Sequence, residues 1–380
     1  MKLSNNYKLI IIICALFGLI CSNLNAASSN DQNLKTNVEI QGLGSLVLQK
    51  TPRKQDDSSQ LVLKKTSKIS IIVDNYEGLE PHELIKFDLD NDGKSEIIAT
   101  LKYTDSQNVI PFVYTIKESL EKIFPNEENE SKLLTCREVF VTNQKSNPTL
   151  CLKYLISFHD YAPPELYKLE MYCLKNGKLE LSQVGYNEGT HYNLLMNLGA
   201  EYMHNGRTLE AAALYHQAIA SSTGDIGAKA FCEALFFNAE ALKYSQKYPE
   251  AMKLFEKIVL EYTDCDFTEI AQKELEFLYA NSKNVNLLNQ YYKIQLDIVN
   301  EHNDLALNQL NQLINNNPNC TFMDKLLFTK AEILISENNI EEAMKIFIDI
   351  KVKYPNSPLI ETVDEMLENL ESKPEDTEEL

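Results

Sequence analysis

The stretch Asn197–Ile219 limits the folds that are open to this chain. Its small and apolar residues fall at helical spacing on two stripes, with a glycine turn between them. Gly199 and Tyr202 lie on the first stripe, and Ala211 and Tyr215 lie on the second. Small residues let two antiparallel helices approach closely, and the tyrosine rings fill the gaps around them. One helix pair of this size cannot bury its apolar face alone, so we expect further pairs to stack on it.

Three later segments repeat this spacing. They are Phe231–Thr263, Val285–Pro318 and Asp324–Pro355. Each carries an alanine at the position of Ala211, and these alanines are Ala251, Ala306 and Ala343. The intervals between successive alanines are 40, 55 and 37 residues, which predicts extended loops between the pairs. The longest interval leaves room for an extra helix, and a capping helix is expected after the last pair. These two helices are expected at Thr268–Ala280 and Leu359–Leu370.

The Leu-Gly, Tyr, Ala, aromatic and Ala positions of the first stretch resemble the tetratricopeptide repeat (TPR). The segment Tyr354–Pro358 resembles the repeat ends of bacterial envelope TPR proteins. The resemblance implies an α-solenoid over residues 190–371. In the TPR family, partners lie along the concave face made by the first helix of each pair. Carried over, this implies partner-binding roles for Met196, Ala200, Met203, His204, Glu233, Phe236, Glu240, Lys243, Tyr244, Tyr291, Gln295, Ile298, Lys325, Phe328 and Glu332. Such a face suits a peptide or a partner helix.

Residues 68–186 have a different pattern, in which short β-rich runs alternate with turn signals such as Asn91-Asp92-Gly93 and Asn176-Gly177. This pattern predicts an antiparallel β domain, with one helix at Lys117–Ile123. The predicted fold class is therefore α+β and multidomain. An N-terminal antiparallel β domain is followed by a C-terminal α-solenoid of TPR-like helical hairpins.

The segment Phe87–Ala99 reads FDLDNDGKSEIIA. Calcium requires hard oxygen ligands around one point, and the glycine permits the sharp turn. The expected ligands are the carboxylates of Asp88, Asp90, Asp92 and Glu96 and the carbonyl of Lys94. An EF-hand is excluded, because Ala99 stands where the bidentate glutamate belongs and the flanking runs predict strands. A solvated acidic turn that binds no metal remains the alternative.

This loop resembles the D-x-D-x-D-G-x-x-[DE] loop of FG-GAP and VCBS-type β repeats. In that family the loop joins two strands and can bind calcium. The pattern occurs once in the chain, so a full propeller is not expected. The resemblance implies one calcium ion as the cofactor.

The N-terminus predicts export. Residues 1–26 read as a signal peptide, with Lys2 and Lys8 before the apolar run Leu9–Ile20 and cleavage after Ala26. Lipidation at Cys21 and retention as an uncleaved anchor are the alternatives, and either would attach the protein to a membrane. Residues 27–67 are predicted to be a flexible linker, within which Ser45–Leu48 and Leu61–Leu63 are candidates for short strands. Residues 372–380 are predicted to be an acidic tail.

The net charge of −19 comes from 36 basic and 55 acidic residues. A chain this acidic lacks the lysine and arginine stripe that neutralises phosphates, which argues against a general binder of nucleic acid or anionic membranes.

Six of the eight cysteines follow the predicted cleavage site, and an exported protein can oxidise them. None lies in a C-x-x-C pair, so the spacing predicts neither a zinc site nor a redox motif. Cys151 and Cys173 fall on neighbouring predicted strands, and Cys232 and Cys265 fall at the two ends of one predicted helix pair. Each pair is a candidate disulfide, with free thiols as the alternative.

The predicted function is that of an exported, periplasmic or secreted scaffold. Its TPR groove would hold a peptide or protein of the cell envelope, and calcium would stabilise its β domain. No nucleophile, metalloprotease, P-loop or dinucleotide motif appears, so no catalysis is expected. One alternative is a surface-adhesion or carbohydrate-binding protein with the repeats as scaffold. Another is a hydrolase of unrecognised type.

Overall fold

A computed structural model describes residues 35–51, 58–104, 106–117, 119–125, 133, 136–144, 147–158, 164–187, 189–221 and 227–372. The chain divides into two compact units, Met1–Gly189 and Thr190–Leu380. The predicted signal peptide and almost all of the predicted acidic tail lie outside the described residues. The observed architecture is α+β, with strands in the first unit and helices in the second.

Within its described residues, the first unit contains three antiparallel sheets of four strands, and in each sheet the strands are neighbours in chain order. The first sheet comprises β1 (Asn37–Ile40), β2 (Gly44–Lys50), β3 (Ser59–Lys64) and β4 (Ser70–Tyr76). The second comprises β5 (Glu80–Phe87), β6 (Glu96–Lys102), β7 (Val109–Ile116) and β8 (Leu120–Phe124). The third comprises β9 (Cys136–Gln144), β10 (Asn147–Ile156), β11 (Leu166–Lys175) and β12 (Lys178–Tyr186).

One hydrophobic core joins the three sheets. It contains Leu46 and Leu61 from the first sheet, Ile97 and Leu101 from the second, and Leu150 from the third. The β6 run EIIATLK is buried on both faces, as its nearly continuous apolar sequence requires. A side-chain hydrogen bond also joins two of the sheets. The Tyr114 hydroxyl on β7 donates to Asp74 Oδ2 on β4 at 2.7 Å.

Two sequence-based predictions for this unit are wrong. The predicted flexible linker, residues 27–67, contains β1, β2 and β3, because alternate residues such as Leu46 and Leu48 enter the core of a sheet. Within it, the two candidate strands are confirmed, since they lie in β2 and β3. The predicted helix Lys117–Ile123 is replaced by β8. This segment pairs with β7 from Val113↔Phe124 to Ile116↔Leu120, so tertiary pairing overrides the local helical preference.

Cys151 and Cys173 are free thiols, which contradicts the predicted disulfide between them. The register of β10 against β11 places Cys151 opposite Met171. Cys173 is therefore a diagonal neighbour of Cys151, and diagonal pairs lie too far apart for a disulfide without backbone movement.

The second unit contains ten helices within its described residues. They are α1 (Tyr192–His204), α2 (Thr208–Ser221), α3 (Ala228–Tyr244), α4 (Tyr248–Glu261), α5 (Thr268–Asn281), α6 (Val285–Val299), α7 (Asn303–Asn316), α8 (Met323–Ser336), α9 (Ile340–Lys353) and α10 (Ile360–Ser372).

Four helix pairs share one turn geometry. The pairs are α1–α2, α3–α4, α6–α7 and α8–α9, and their turns hold Gly206, Gln246, Glu301 and Asn338 in the left-handed region at φ between 60° and 72°. In each turn the next residue donates its N–H to a carbonyl five residues back, at 2.7–2.9 Å. This is the hydrogen bond of the Schellman motif, which satisfies the last carbonyls of the first helix.

The four alanines that aligned the repeats lie five residues after these turn positions, and all are fully buried. In the first pair, Gly199 lies against the ring of Tyr215. A Cβ at Gly199 would come within 2.5 Å of that ring. The predicted close approach of the two helices is therefore confirmed.

The long interval between the second and third pairs contains the extra helix α5, and α10 follows the last pair, both as predicted.

Cys232 on α3 and Cys265 after α4 form a disulfide with a Cα–Cα distance of 6.5 Å, which confirms the predicted disulfide across that helix pair. Cys320 is a free thiol. Among the described helices, none has the length and apolarity needed to cross a membrane.

The turn geometry makes a prediction about stability. Glu301 occupies a left-handed position, which costs a residue with a Cβ about 1 kcal/mol relative to glycine. We expect Glu301→Gly to raise the thermal midpoint by about 2–4 °C, measured by circular dichroism. Asn338→Gly is the matched comparison and should gain less, because asparagine tolerates this conformation. An unchanged or lower midpoint in Glu301→Gly would contradict the shared turn geometry.

Candidate functional site

The first helices α3, α6 and α8 and the inserted helix α5 share one face, on which a buried ion cluster lies. The Lys243 ammonium on α3 lies 2.6 Å from Glu240 Oε1 and 2.8 Å from Glu274 Oε2 on α5. The Lys243 side chain is only 4% exposed, so its charge depends on these two carboxylates. A buried ammonium is tolerated when paired and hydrogen-bonded in this way.

A second cation extends the cluster to α8. Lys325 Nζ lies 3.4 Å from Glu274 Oε1, so Glu274 joins both lysines, one through each carboxylate oxygen. The Tyr292 hydroxyl on α6 donates to Glu274 Oε2 at 3.3 Å. Glu274 therefore contacts side chains from three other helices and holds them together.

Aromatic rings surround the cluster. Lys243 Nζ lies 5.3 Å and 5.1 Å from the ring centroids of Tyr244 and Tyr292. Lys325 Nζ lies 4.1 Å from the ring centroid of Phe277. These distances fall within the range of cation–π attraction, which is stronger at desolvated sites.

The pKa values show how the cluster balances its charges. Burial acts to lower the pKa of Lys243, but the carboxylates of Glu240 and Glu274 outweigh it and hold that pKa above its ordinary value. Burial acts to raise the pKa of Glu274, but Lys243 and Lys325 outweigh it and hold that pKa below its ordinary value. Burial raises the pKa of Glu240, and Lys243 only partly offsets this effect. Glu274 is thus the carboxylate that stays ionised most firmly.

Further hydrogen bonds connect α6 and α8. Gln295 Nε2 on α6 lies 3.1 Å from the Tyr291 hydroxyl and 3.1 Å from Thr329 Oγ1 on α8. One amide therefore joins two of the first helices beside the ion cluster.

Four residues predicted to contact a partner are buried instead: Met196, Phe236, Lys243 and Tyr291. Phe236 stacks on Phe267 with ring centroids 4.6 Å apart, and Lys243 is enclosed by its carboxylates. A helix that packs on two neighbours buries residues over a wide stripe, so part of the predicted binding stripe belongs to the core.

The remaining predicted partner residues are at least partly accessible. Half-buried are Ala200, Met203, Glu233, Glu240, Tyr244, Gln295, Ile298, Lys325 and Phe328, and exposed are His204 and Glu332. Among them, Glu233 lies 3.4 Å from the Tyr192 hydroxyl on α1, and Phe328 packs on Phe347 with ring centroids 5.5 Å apart.

Sequence reasoning missed Glu274, Phe277 and Tyr292. The first two lie on α5, which belongs to no aligned pair, so no repeat position pointed to its inner face. Tyr292 lies next to Tyr291, and the repeat alignment assigned the partner-binding position to Tyr291 instead. A charged residue inside the apolar spacing of α5 was the available signal for Glu274.

The acidic loop 88–95 joins β5 to β6, two adjacent antiparallel strands, as the resemblance implied. Carboxylate oxygens of Asp88, Asp90 and Glu96 lie within 4.8 Å of one another. Asp88 Oδ2 accepts the N–H of Gly93 at 2.9 Å, whereas Asp88 Oδ1 is buried and accepts no hydrogen bond from the described residues. A buried carboxylate oxygen without a donor fits a cation ligand.

Hydrogen bonds shape the loop around these carboxylates. Asp90 Oδ1 accepts the N–H of Asp92 at 3.2 Å, and Asp92 Oδ1 accepts the N–H of Lys94 at 2.7 Å. Burial raises the pKa of Glu96; the Leu89 N–H lowers it in part, and the Asp90 and Asp92 charges raise it further.

A divalent cation would offset both the repulsion between these carboxylates and the free-energy cost of burying the charged form of Glu96. The residues present therefore fit calcium. Asp92 is not in the group of three carboxylates that lie together. Its role as a ligand, and that of the Lys94 carbonyl, stay predictions.

Comparison with known proteins adds little. No protein-family model matches the chain, and no curated protein matches it. The solved structures that match include a thermophilic TPR protein from Thermus thermophilus, with 13% identity over 47% of this chain and 98% of that chain and a TM-score of 0.21. At that TM-score the likeness carries no argument. The helices are compatible with a TPR-like array, and that assignment rests on the four shared turns.

The ion cluster predicts a pH-dependent effect of Glu274→Gln. Glu274 has a lowered pKa in the folded chain, so its stabilisation is present above its unfolded pKa, about 4.3, and is lost as the pH falls through the folded value. We expect the variant to lose about 3 kcal/mol at pH 7. The difference from the parent, measured by denaturant unfolding, should shrink below about pH 4.

The control for this variant is Glu269→Gln, which removes an exposed carboxylate on the same helix and should change stability little. Equal stability of Glu274→Gln and the parent at pH 7 would contradict a structural role for the cluster.

The acidic loop predicts a ranking of calcium ligands. Asp88→Asn and Glu96→Gln should each weaken calcium binding at least about tenfold, because each removes a carboxylate from the group that lies together. Asp92→Asn is the matched comparison and should weaken binding less. Isothermal titration calorimetry measures the three affinities, and equal losses in all three variants would overturn the ranking.

Proposed function

We propose that this chain is an exported binding protein that acts without catalysis. In this proposal, the helical unit holds an extended segment of a protein partner across the face shared by α3, α5, α6 and α8. The ion cluster of Glu240, Lys243, Glu274 and Lys325 is the observation that carries the proposal. It joins α3, α5 and α8, and the Tyr292 hydroxyl adds α6, so a partner would meet a surface that is already ordered, which reduces the entropy cost of binding.

The charges on this face favour a basic partner segment. The two lysines and two glutamates of the cluster balance one another, and Glu332 and Glu233 add two further carboxylates close to the predicted groove. Half-buried rings such as Tyr244 offer apolar and cation–π contacts beside these carboxylates. A segment with lysine or arginine next to an apolar residue matches both features.

Calcium has a structural role in this proposal. The 88–95 loop joins two strands that both contribute to the core of the first unit. A cation held by Asp88, Asp90 and Glu96 would fix this loop and the β5–β6 pair. Export would place the loop in a compartment where extracellular-type calcium sites of modest affinity fill.

A peptide-display selection against the mature chain, residues 27–380, tests the binding proposal. We expect recovered peptides to be enriched in lysine and arginine, and the affinity of one such peptide to fall about tenfold or more in Glu332→Lys because the charge beside the groove is reversed. Glu341→Lys, which reverses an exposed charge on α9, is the matched control. Fluorescence anisotropy measures both affinities. Recovery of no peptides, or equal binding by the two variants, would contradict the proposal.

A further inference from the structure

The hairpin of β3 and β4 has an exposed tip, residues 64–72, that combines lysines with isoleucines. Every residue of the tip is exposed. Ile69, Ile71 and Ile72 are 53%, 45% and 53% exposed, so three large aliphatic side chains form an exposed apolar patch at the end of the hairpin. Lys64, Lys65 and Lys68 lie among them.

The isoleucines emerge on both faces of the hairpin. Ile71 lies opposite Leu63 and Ile72 lies opposite Val62 across the pair. Because successive residues of a strand point to opposite faces, these two side chains leave the ribbon in opposite directions. Leu63 and Val62 are both buried, so the apolar surface is exposed only on the outer strand.

The tip is also a basic exception in an acidic chain of net charge −19. Lys64, Lys65 and Lys68 form no ion pair with any residue in the described ranges. Salt screens interactions beyond about 8 Å at physiological ionic strength, so distant carboxylates do not cancel this local charge. A cleft of about 650 Å³ beside the tip is lined by Lys65, Lys86 and Glu39.

The base of the hairpin is held firmly. Asp74, in the second half of β4, accepts the Tyr114 hydroxyl at 2.7 Å and lies 3.7 Å from Lys122 Nζ. The exposed residues 64–72 therefore adjoin a part of β4 that is tied to β7 and β8.

We propose that this tip docks onto the surface of an anionic lipid bilayer. The lysines would contact the headgroup phosphates, and the isoleucines would enter the interface beneath them. A stable protein partner would need about 800 Å² on each side. A bilayer interface instead can accept short exposed side chains from both faces of the outer strand, with the lysines beside the headgroups.

Vesicle co-sedimentation of the predicted mature chain, residues 27–380, tests this inference. The probes are vesicles of equal parts phosphatidylglycerol and phosphatidylcholine, and vesicles of phosphatidylcholine alone. We expect binding to the first and not to the second. Each lysine contributes about fivefold to partitioning, so Lys64→Gln/Lys65→Gln/Lys68→Gln should lower it about 100-fold. Ile71→Ser/Ile72→Ser should lower it about tenfold.

Matched controls lie on the helical unit. Lys253→Gln/Lys283→Gln/Lys293→Gln removes the same charge, and Leu260→Ser/Val352→Ser removes comparable exposed apolar surface. Both should bind as the parent does, and unchanged thermal midpoints show that every variant folds. Three results would overturn the inference: no binding to anionic vesicles, equal losses in tip and control variants, or dimers of the parent that the Ile71/Ile72 variant abolishes.

Discussion

The Lys243 ammonium is buried between the carboxylates of Glu240 and Glu274, and Glu274 carries that contact on to Lys325. An isolated buried charge would destabilise the fold strongly, so the helices that supply these groups must stay together. The helix α5, in the interval between the second and third pairs, meets this requirement. It brings the carboxylate that both lysines need.

The helical unit combines this specific cluster with a generic packing rule. The four turns at Gly206, Gln246, Glu301 and Asn338 repeat one backbone geometry, and a fully buried alanine follows each of them at the same distance. The shared turn and the buried alanine determine how closely the two helices of a pair approach each other. The ion cluster instead joins helices of different pairs, which is what an ordered binding face requires.

Most of the helical unit was predictable from sequence because its alanines are spaced by helical geometry. The helix pairs, the extra helix, the capping helix and the Cys232–Cys265 disulfide followed from that spacing. The residues of the cluster were only partly predictable, since Glu240, Lys243 and Lys325 lie on aligned first helices whereas Glu274 lies on a helix without a repeat position. The segment of β1, β2 and β3 was assigned to a linker because these strands are short and lie among polar residues, although Ser45–Leu48 and Leu61–Leu63 were candidates for strands. β8 was read as helix because its pairing with β7 is a tertiary contact.

Hydrogen exchange of the parent protein, measured by mass spectrometry on peptides from the helical unit, tests the central claim that the ion cluster makes one rigid face. The account predicts that peptides from α3, α5, α6 and α8 open with one common free energy, because breaking the cluster separates all four helices. Exchange of α5 that is much faster than that of α3 and α6 would contradict the account.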